Sequence, residues 1–283
     1  MKKILITGAN SYVGTHVEAW LMKEPDKYLV DTLDMKDPNW INHDFSKYDV
    51  VFHVAGIAHK RIKKRDSKIY YNINHDLAVK VADNANSSGV KHFILVSSMA
   101  VYGNEIKKID STTIPKPKTD YGKSKFLAEQ DIKLRFKNRM IISILRPPLI
   151  YGYNSPGNFA KLSNITKRLK IYSSFRNKRS MIFIDNFSNL IRIIIDRQLK
   201  GIFHPQNSEF VSTMDCCKMI LEVNGLNHYR VNILNIFLLV FSRNVLKKSF
   251  GDLYYNQLIS GFDLNYNIVD FKKSITLSEG GSL

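Results

Sequence analysis

The sequence predicts an α/β protein built on a doubly wound parallel sheet, followed by a smaller C-terminal α/β lobe. Three observations carry this. First, the apolar run Ile4-Leu5-Ile6 leads directly into Thr7-Gly8-Ala9-Asn10-Ser11-Tyr12-Val13-Gly14, and the helical pattern Val17, Trp20, Leu21 follows. A strand, a glycine turn and a helix therefore start within about fifteen residues, which aims free backbone N–H groups and the positive helix end at a pyrophosphate. Second, strand-like and helix-like stretches alternate through the first half, as a parallel sheet covered on both faces requires. Third, this regularity weakens after Pro147-Pro148. That shift divides the chain into a dinucleotide-binding domain over 1–150, to which later segments return, and a substrate lobe over 151–283.

Taken in order, strands are expected at Lys3–Thr7, Tyr28–Leu33, Val50–Val54, His92–Val96 and Met140–Leu145. They are near-continuous apolar runs of the kind buried on both faces. Helices are expected at Val13–Lys23, Ile69–Asn86 and Tyr121–Phe136. Tyr153-Asn154-Ser155-Pro156-Gly157-Asn158 reads as a loop by composition. A helix over Phe159–Leu169, a short strand at Met181–Ile184 and a helix from Asn186 to Arg197 come next. Ser212-Thr213 caps a further helix running to Glu222.

At 283 residues and 44% hydrophobic content the chain can bury a sizeable core. Its only cysteines, Cys216 and Cys217, are adjacent. A disulfide framework is thereby excluded, and a reducing, cytoplasmic setting is expected. The apolar run Ile236–Phe241 is far below the ~18 residues that span a bilayer, so no transmembrane segment is expected. The formal net charge is +17. Lysines are scattered along the chain, and the densest cluster, His59-Lys60-Arg61-Ile62-Lys63-Lys64-Arg65, has no interleaved aromatic residues. It reads as a solvated basic loop, and no nucleic-acid partner is expected. His53 and His59 have no carboxylate or cysteine pattern around them, so no metal site is expected. Ser98 lacks the strand-to-helix elbow of a hydrolase nucleophile.

The chemistry lies in Tyr121-Gly122-Lys123-Ser124-Lys125 and Ser97-Ser98. Tyr121 and Lys125, four residues apart, share one helix face. The serines end the strand His92–Val96 and open toward the edge where a doubly wound sheet binds its ligand. Ser98, Tyr121 and Lys125 can therefore converge on one oxygen. A phenol of pKa about 10 must be shifted by ~3 units, about 4 kcal/mol, to act near neutrality. A nearby ammonium and a positively charged nicotinamide supply that shift by favouring the phenolate.

With these residues the chain resembles the extended short-chain dehydrogenase/reductase family, and more closely its nucleotide-sugar epimerase/reductase branch. The likeness is carried by the glycine turn, Ser97-Ser98-Met99-Ala100-Val101-Tyr102-Gly103, the Tyr121-to-Lys125 motif and Arg146-Pro147-Pro148-Leu149-Ile150-Tyr151-Gly152. It continues in Arg179-Ser180-Met181-Ile182-Phe183-Ile184-Asp185-Asn186 and in the tail Phe250-Gly251-Asp252-Leu253-Tyr254-Tyr255, which is similar to enzymes encoded with bacterial surface-polysaccharide pathways. The resemblance implies a Rossmann-type sheet and NAD as cofactor, with NADP as the variant a reductase would use. Gly8, Ser11, Tyr12, Val13 and Gly14 would line the pyrophosphate. Asp34 would accept both adenosine-ribose hydroxyls, Asp44 and Phe45 would face the adenine, and Val54-Ala55-Gly56 would pass beneath the cofactor. Asn72 would sit on the long helix near the active-site strand, and Pro148 would contact the nicotinamide end. Ser98, Tyr121 and Lys125 would be catalytic, and Asn158 and Arg179 would hold the diphosphate of a nucleotide-sugar substrate. A homodimer is compatible with this branch.

Two departures stand out. Ser11 occupies the second glycine position of the usual turn, where its hydroxyl is expected to donate a hydrogen bond in compensation. The chain is also shorter than many 4-epimerases, with the loss expected in the substrate lobe. Met99 and Ala100 hold the places where 4,6-dehydratases of the branch carry an Asp-Glu pair, and neither can transfer a proton. The reading is therefore a 4-epimerase acting by transient C4 oxidation. A 4-keto-sugar-nucleotide reductase is the alternative, and a catalytically silent dinucleotide-sensing regulator is a remote one.

Overall fold

The computed structural model describes residues 1–58, 66–103, 105–231 and 251–280. The basic cluster from His59 to Arg65, the apolar run Ile236–Phe241 and Phe250 of the tail motif lie outside them. Along the chain come β1 (Lys2–Thr7), α1 (Tyr12–Leu21), β2 (Tyr28–Leu33), β3 (Val50–His53), α2 (Lys68–Tyr71), a π-helical turn (Asn72–Asp76), α3 (Leu77–Ser87), β4 (His92–Val96) and β5 (Lys108–Ile109). Then follow α4 (Asp120–Phe136), β6 (Ile141–Leu145), β7 (Leu149–Tyr151), α5 (Asn158–Leu169), β8 (Ile171–Tyr172), β9 (Met181–Phe183), α6 (Ile184–Arg197) and β10 (Gly201–Phe203). The remaining elements are α7 (Thr213–Val223), β11 (Tyr229–Arg230), β12 (Tyr254–Tyr255) and α8 (Phe271–Ser278).

The chain forms two compact units. The first comprises residues 1–103, 114–147 and 188–205. It holds a six-stranded sheet in the order β10-β6-β4-β3-β1-β2, with every pairing parallel. This is a Rossmann-type α/β fold. All five residues of β4 and all four of β3 are buried, which is why their sequences are continuous apolar runs and not alternating ones. One core cluster joins Leu5, Val51, Phe93 and Ile144 of the sheet to Ala78, Ala82 and Ala85 of α3 and to Ala128 and Ile132 of α4. The alanines let both helices approach the sheet closely. β1 is flanked by β2 and β3, so the direction of winding reverses there and opens a crevice at the strands' carboxyl ends.

The helix expected over Ile69–Asn86 is interrupted by the π-helical turn at Asn72–Asp76. β2 is an edge strand, and the path from it to β3 contains only a 3-10 turn over Pro38–Asn42.

The second unit comprises residues 104–113, 148–187 and 206–283. Short parallel pairs organise it: β7 with β9, β8 with β11 and β5 with β12. Tyr151, Tyr255 and Tyr266 are fully buried there. Each hydroxyl or ring finds partners, as when Tyr151 Oη meets Ser274 Oγ at 2.6 Å and accepts from Asn207 Nδ2 at 2.8 Å. Cys216 and Cys217 are free and buried. No helix of the described residues is long and apolar enough to cross a membrane. Among the described residues no group of three or more His, Cys, Asp or Glu side chains could hold a metal ion.

Candidate active site

The glycine turn after β1 is built around missing side chains. Gly8 has φ of +123°, and a Cβ there would stand 2.8 Å from the Ala55 nitrogen. A Cβ on Gly14 would stand 2.6 Å from Ser11 Oγ and 3.0 Å from the Gly8 carbonyl. Backbone therefore approaches backbone where β1, α1 and the Val54-Ala55-Gly56 segment meet. Ser11 uses an acceptor position of its hydroxyl here, not its O–H. It is the N-cap of α1, and its Oγ accepts from Gly14 N at 3.1 Å. The side chain thus turns into the helix start, and the first turn of α1 carries the positive end of the helix. Positive helix end and cradle together fit a pyrophosphate.

Gly8 N and Ala9 N both donate to the Leu33 carbonyl, at 2.9 and 3.1 Å, which brings the end of β2 against the turn. Asp34 follows immediately. Its Oδ1 accepts from Lys36 N at 2.9 Å, an arrangement that holds the carboxylate at the crevice where a ribose diol can be bound. Asp44 is exposed, and its Oδ1 accepts from Ser46 N and Ser46 Oγ at 2.9 and 2.6 Å. Those bonds lower its pKa. Phe45 is different: its ring is 1% exposed and belongs to the core, so only its backbone is available to an adenine.

The acid/base group assembles where β4 ends and α4 begins. Thr119 caps α4, its Oγ1 accepting from Gly122 N at 3.1 Å. Gly122 packs on the Ala100 carbonyl so tightly that a Cβ would come within 2.6 Å. This close approach sets the first turn of α4 against the segment after Ser98. Ser98 Oγ accepts from Ala100 N at 3.1 Å. Tyr121 pairs with it: burial holds the phenol above its ordinary pKa, the hydrogen bond with Ser98 offsets this only in part, and the downward shift expected from the sequence is absent from the protein alone, without the positively charged nicotinamide. The Tyr121 ring also lies 6.2 Å from the ring of Tyr70, tilted by 59°.

Lys125 is buried, and its Nζ donates to the Val96 carbonyl at 2.9 Å. Burial lowers its pKa to about 8, with the Glu129 charge opposing that shift. Gly56 lies directly beside it, since a Cβ there would meet Asn74 Oδ1 at 2.9 Å and Lys125 Nζ at 3.0 Å. On the far side His53 is held neutral, its pKa down to about 3 through burial and the Lys125 charge, with Nδ1 2.7 Å from Thr7 Oγ1.

Asn72 lies exposed on the π-helical turn. The asparagine facing this region is Asn74, 1% exposed. Its Oδ1 accepts from Ile57 N at 2.9 Å, and its Nδ2 donates to the Ile57 carbonyl and to Ser124 Oγ, each at 3.2 Å. Asn74 precedes the buried Ala78 by four residues, so the helical period alone marks it as the inward residue.

In the second unit an open cleft of about 100 Å³ is lined by Leu149, Leu162, Met181 and Val211, with Asn158 and Arg179 among its polar residues. Asn158 opens α5. Arg179 is half-buried, bridged through its backbone to Val211 and Leu253, and its Nη1 donates to the Gly251 carbonyl at 2.9 Å. Burial works against its charge, and Asp252 partly offsets that. Pro148 is half-buried at the start of this unit.

A parallel sheet with a glycine turn at its switch point, and a serine, a tyrosine and a lysine gathered beside the same strand ends, defines a dinucleotide-dependent enzyme of the extended short-chain dehydrogenase/reductase class. The chain belongs to the NAD dependent epimerase/dehydratase family, whose model matches residues 4–203, and NAD is its cofactor. It is 29% identical over 243 residues to a UDP-glucose 4-epimerase of Vibrio cholerae, covering 76% of this chain and 73% of that one. It is 25% identical over 209 residues to the N-acetyl-alpha-D-glucosaminyl-diphospho-ditrans,octacis-undecaprenol 4-epimerase of Escherichia coli O157:H7, covering 67% of this chain and 62% of the relative. Among solved structures, the UDP-glucuronic acid 4-epimerase of Bacillus cereus in complex with NAD superposes with a TM-score of 0.77 at 18% identity, covering 98% of this chain and 95% of that one.

Proposed function

We propose that this chain is a nucleotide-sugar 4-epimerase, acting on a UDP-hexose or UDP-N-acetylhexosamine by transient oxidation at C4. The observation that carries the reading is the grouping of Ser98, Tyr121 and Lys125, followed at 99 and 100 by side chains that cannot transfer a proton. The dinucleotide, when bound, supplies hydride acceptance and return at C4. Everything else is done by the protein. Ser98 orients the C4 oxygen by a hydrogen bond. Tyr121 takes the hydroxyl proton as the carbonyl forms and gives it back as the carbonyl is reduced. Lys125 places a positive charge next to the phenolate, which favours the ionised form over the neutral one. Gly8, Ser11, Tyr12, Val13 and Gly14 hold the pyrophosphate, Asp34 the ribose, and Val54-Ala55-Gly56 the floor of the site. Asn158 and Arg179 hold the substrate's diphosphate, since a guanidinium matches two phosphate oxygens at once.

Supply of precursors for a surface polysaccharide, in the cytoplasm, is the setting that the tail motif and the two free cysteines support. The test is to incubate purified protein with UDP-glucose and, separately, with UDP-N-acetylglucosamine, adding no cofactor. The expected result is appearance of the C4 epimer, with NAD released on denaturing the protein. Turnover only of a 4-keto sugar nucleotide, and only with added NADPH, would overturn it in favour of the reductase.

A further inference from the structure

Directly behind the Ser98–Tyr121–Lys125 group lies a buried charge cluster that takes no part in the proposed proton transfer. Glu129 is 3% exposed and Arg146 5% exposed. Glu129 stands one turn beyond Lys125 on α4. Arg146 follows β6, and its backbone N–H donates to the Phe203 carbonyl of β10 at 2.9 Å. Its guanidinium embraces the carboxylate. Nε donates to both carboxylate oxygens at 3.1 Å, and Nη2 donates to Oε2 at 2.5 Å. Nη1 donates to Tyr102 Oη at 2.7 Å, and that hydroxyl lies 2.8 Å from His204 Nε2. Ser97 Oγ donates to Glu129 Oε1. Ser97 N in turn donates to the Leu145 carbonyl at 2.7 Å, and Met99 N donates to the Pro147 carbonyl at 2.9 Å.

Ser97 is the residue immediately before Ser98, and Val96, which accepts from the Lys125 ammonium, is the residue before that. The three consecutive positions 96, 97 and 98 are therefore bound in turn by Lys125, by Glu129 and by Tyr121. One helix face, read at positions 121, 125 and 129, grips one strand end. Glu129 is the outermost of these three contacts, and it is fixed from behind by Arg146.

We propose that Glu129, clamped by Arg146 and Ser97, is a positioning residue that sets Ser98 and Lys125 in register around Tyr121 and supplies the negative charge that keeps the Lys125 ammonium protonated. The inference rests on the reading of Ser98, Tyr121 and Lys125 as the catalytic group. A buried ion pair contributes little net stability on its own and is often replaceable by apolar residues of similar volume. Conformational and electrostatic service to the neighbouring site accounts for this pair. Among the described residues, the titratable groups around Lys125 are Glu129 and Tyr121 from its own helix and His53 from β3. His53 stays neutral over the working range, so the Glu129 carboxylate is the anion whose removal the lysine registers.

The test uses Glu129→Gln, which keeps shape and removes charge, and the double variant Glu129→Leu/Arg146→Met, which removes both charges and leaves neither unpaired. Lysine labelled with ¹³C at Cε reports the Lys125 titration directly, with Lys125→Arg assigning the signal. In both variants Lys125 is expected to titrate about one pH unit lower than in the wild type. In epimerisation assays kcat is expected to fall roughly 10- to 100-fold with KM changed by less than about threefold. If Glu129→Gln does not fold, the double variant is decisive alone. A folded double variant with an unshifted Lys125 titration and unchanged kcat would overturn the proposal. Because the titration needs no substrate, a shifted Lys125 in a protein that turns over no nucleotide sugar would sink the proposed function while leaving this inference standing.

Discussion

Lys125 directs its ammonium at the carbonyl of Val96, Nζ donating at 2.9 Å, and both groups are buried. The lysine is therefore held by the last residue of β4, two positions before Ser98, and not by a carboxylate. A neutral acceptor stabilises the ammonium less than a paired anion would, and the Glu129 carboxylate one turn away offsets burial only in part, so the pKa falls to about 8.

Activity is accordingly predicted to decline as pH rises through about 8, because the neutral amine no longer favours the Tyr121 phenolate. The same shift has a sign in stability. The unfolded chain binds this proton at the ordinary lysine pKa, from about 8 up to about 10.4, where the folded chain has lost it. Unfolding free energy should therefore rise with pH across that window, and Lys125→Met should flatten the rise. Turnover against pH, together with urea melts at pH 7.5, 9 and 10.5, provides the check; a flat activity profile to pH 9.5 would refute the assignment.

Tyr121→Phe should fold, bind NAD and lose turnover by about two to four orders of magnitude. The ring contact with Tyr70 is retained, and only the phenolic proton and the hydrogen bond with Ser98 are removed. Single-turnover kinetics with NAD bound is the measurement. A Phe variant with near wild-type rate would mean that another group moves the proton.

Asp34 should make NAD(H) the preferred dinucleotide. Its carboxylate is set beside the glycine turn by the Lys36 N–H, and a 2′-phosphate placed there would meet like charge. Lys36 is exposed and engages Asp34 only through its backbone. Fluorescence titration with NADH and NADPH tests this directly, tighter NADPH binding being the contrary result. Asp34→Ala should narrow the difference.

Arg179→Ala is predicted to weaken UDP binding about ten- to a hundredfold, equivalent to a charge-assisted contact of roughly 1.5–3 kcal/mol, while NAD affinity stays within about twofold. The side chain lines the cleft of the second unit, where its Nη1 donates to a backbone carbonyl, Gly251 O. Calorimetry with each ligand separately reads the outcome. Unchanged UDP affinity would return Arg179 to a structural role in joining Val211 and Leu253.

Local chemistry was legible in the sequence wherever a residue's role depends on its immediate neighbours. The turn from Gly8 to Gly14 needs only a strand before it, a helix after it and glycine at the two positions where a Cβ would clash. Tyr121 and Lys125 share a face because the helical period makes them do so. The core strands announce themselves as unbroken apolar runs because both their faces are covered. Asn74 was legible in principle from its phase with Ala78, four residues on, while Asn72, two residues before it, falls on the opposite side of the helix and is exposed.

Tertiary structure decided what depends on residues far apart in the chain. No spacing rule joins Glu129 to Arg146, or either to Ser97, because a buried carboxylate finds its cation through the packing of α4 on β4 and β6. The Phe45 ring is a core side chain, which its sequence neighbours do not announce, since burial is settled by what the sheet covers. Residues 188–205 belong to the first unit and residues 104–113 to the second. An edge strand such as β10 finds its partner in β6 only when the sheet exists to receive it, while β5 finds its own in β12, about 145 residues further along the chain. Sequence by itself determined the chemical groups and their local geometry, and three-dimensional packing selected which buried charges stand behind them.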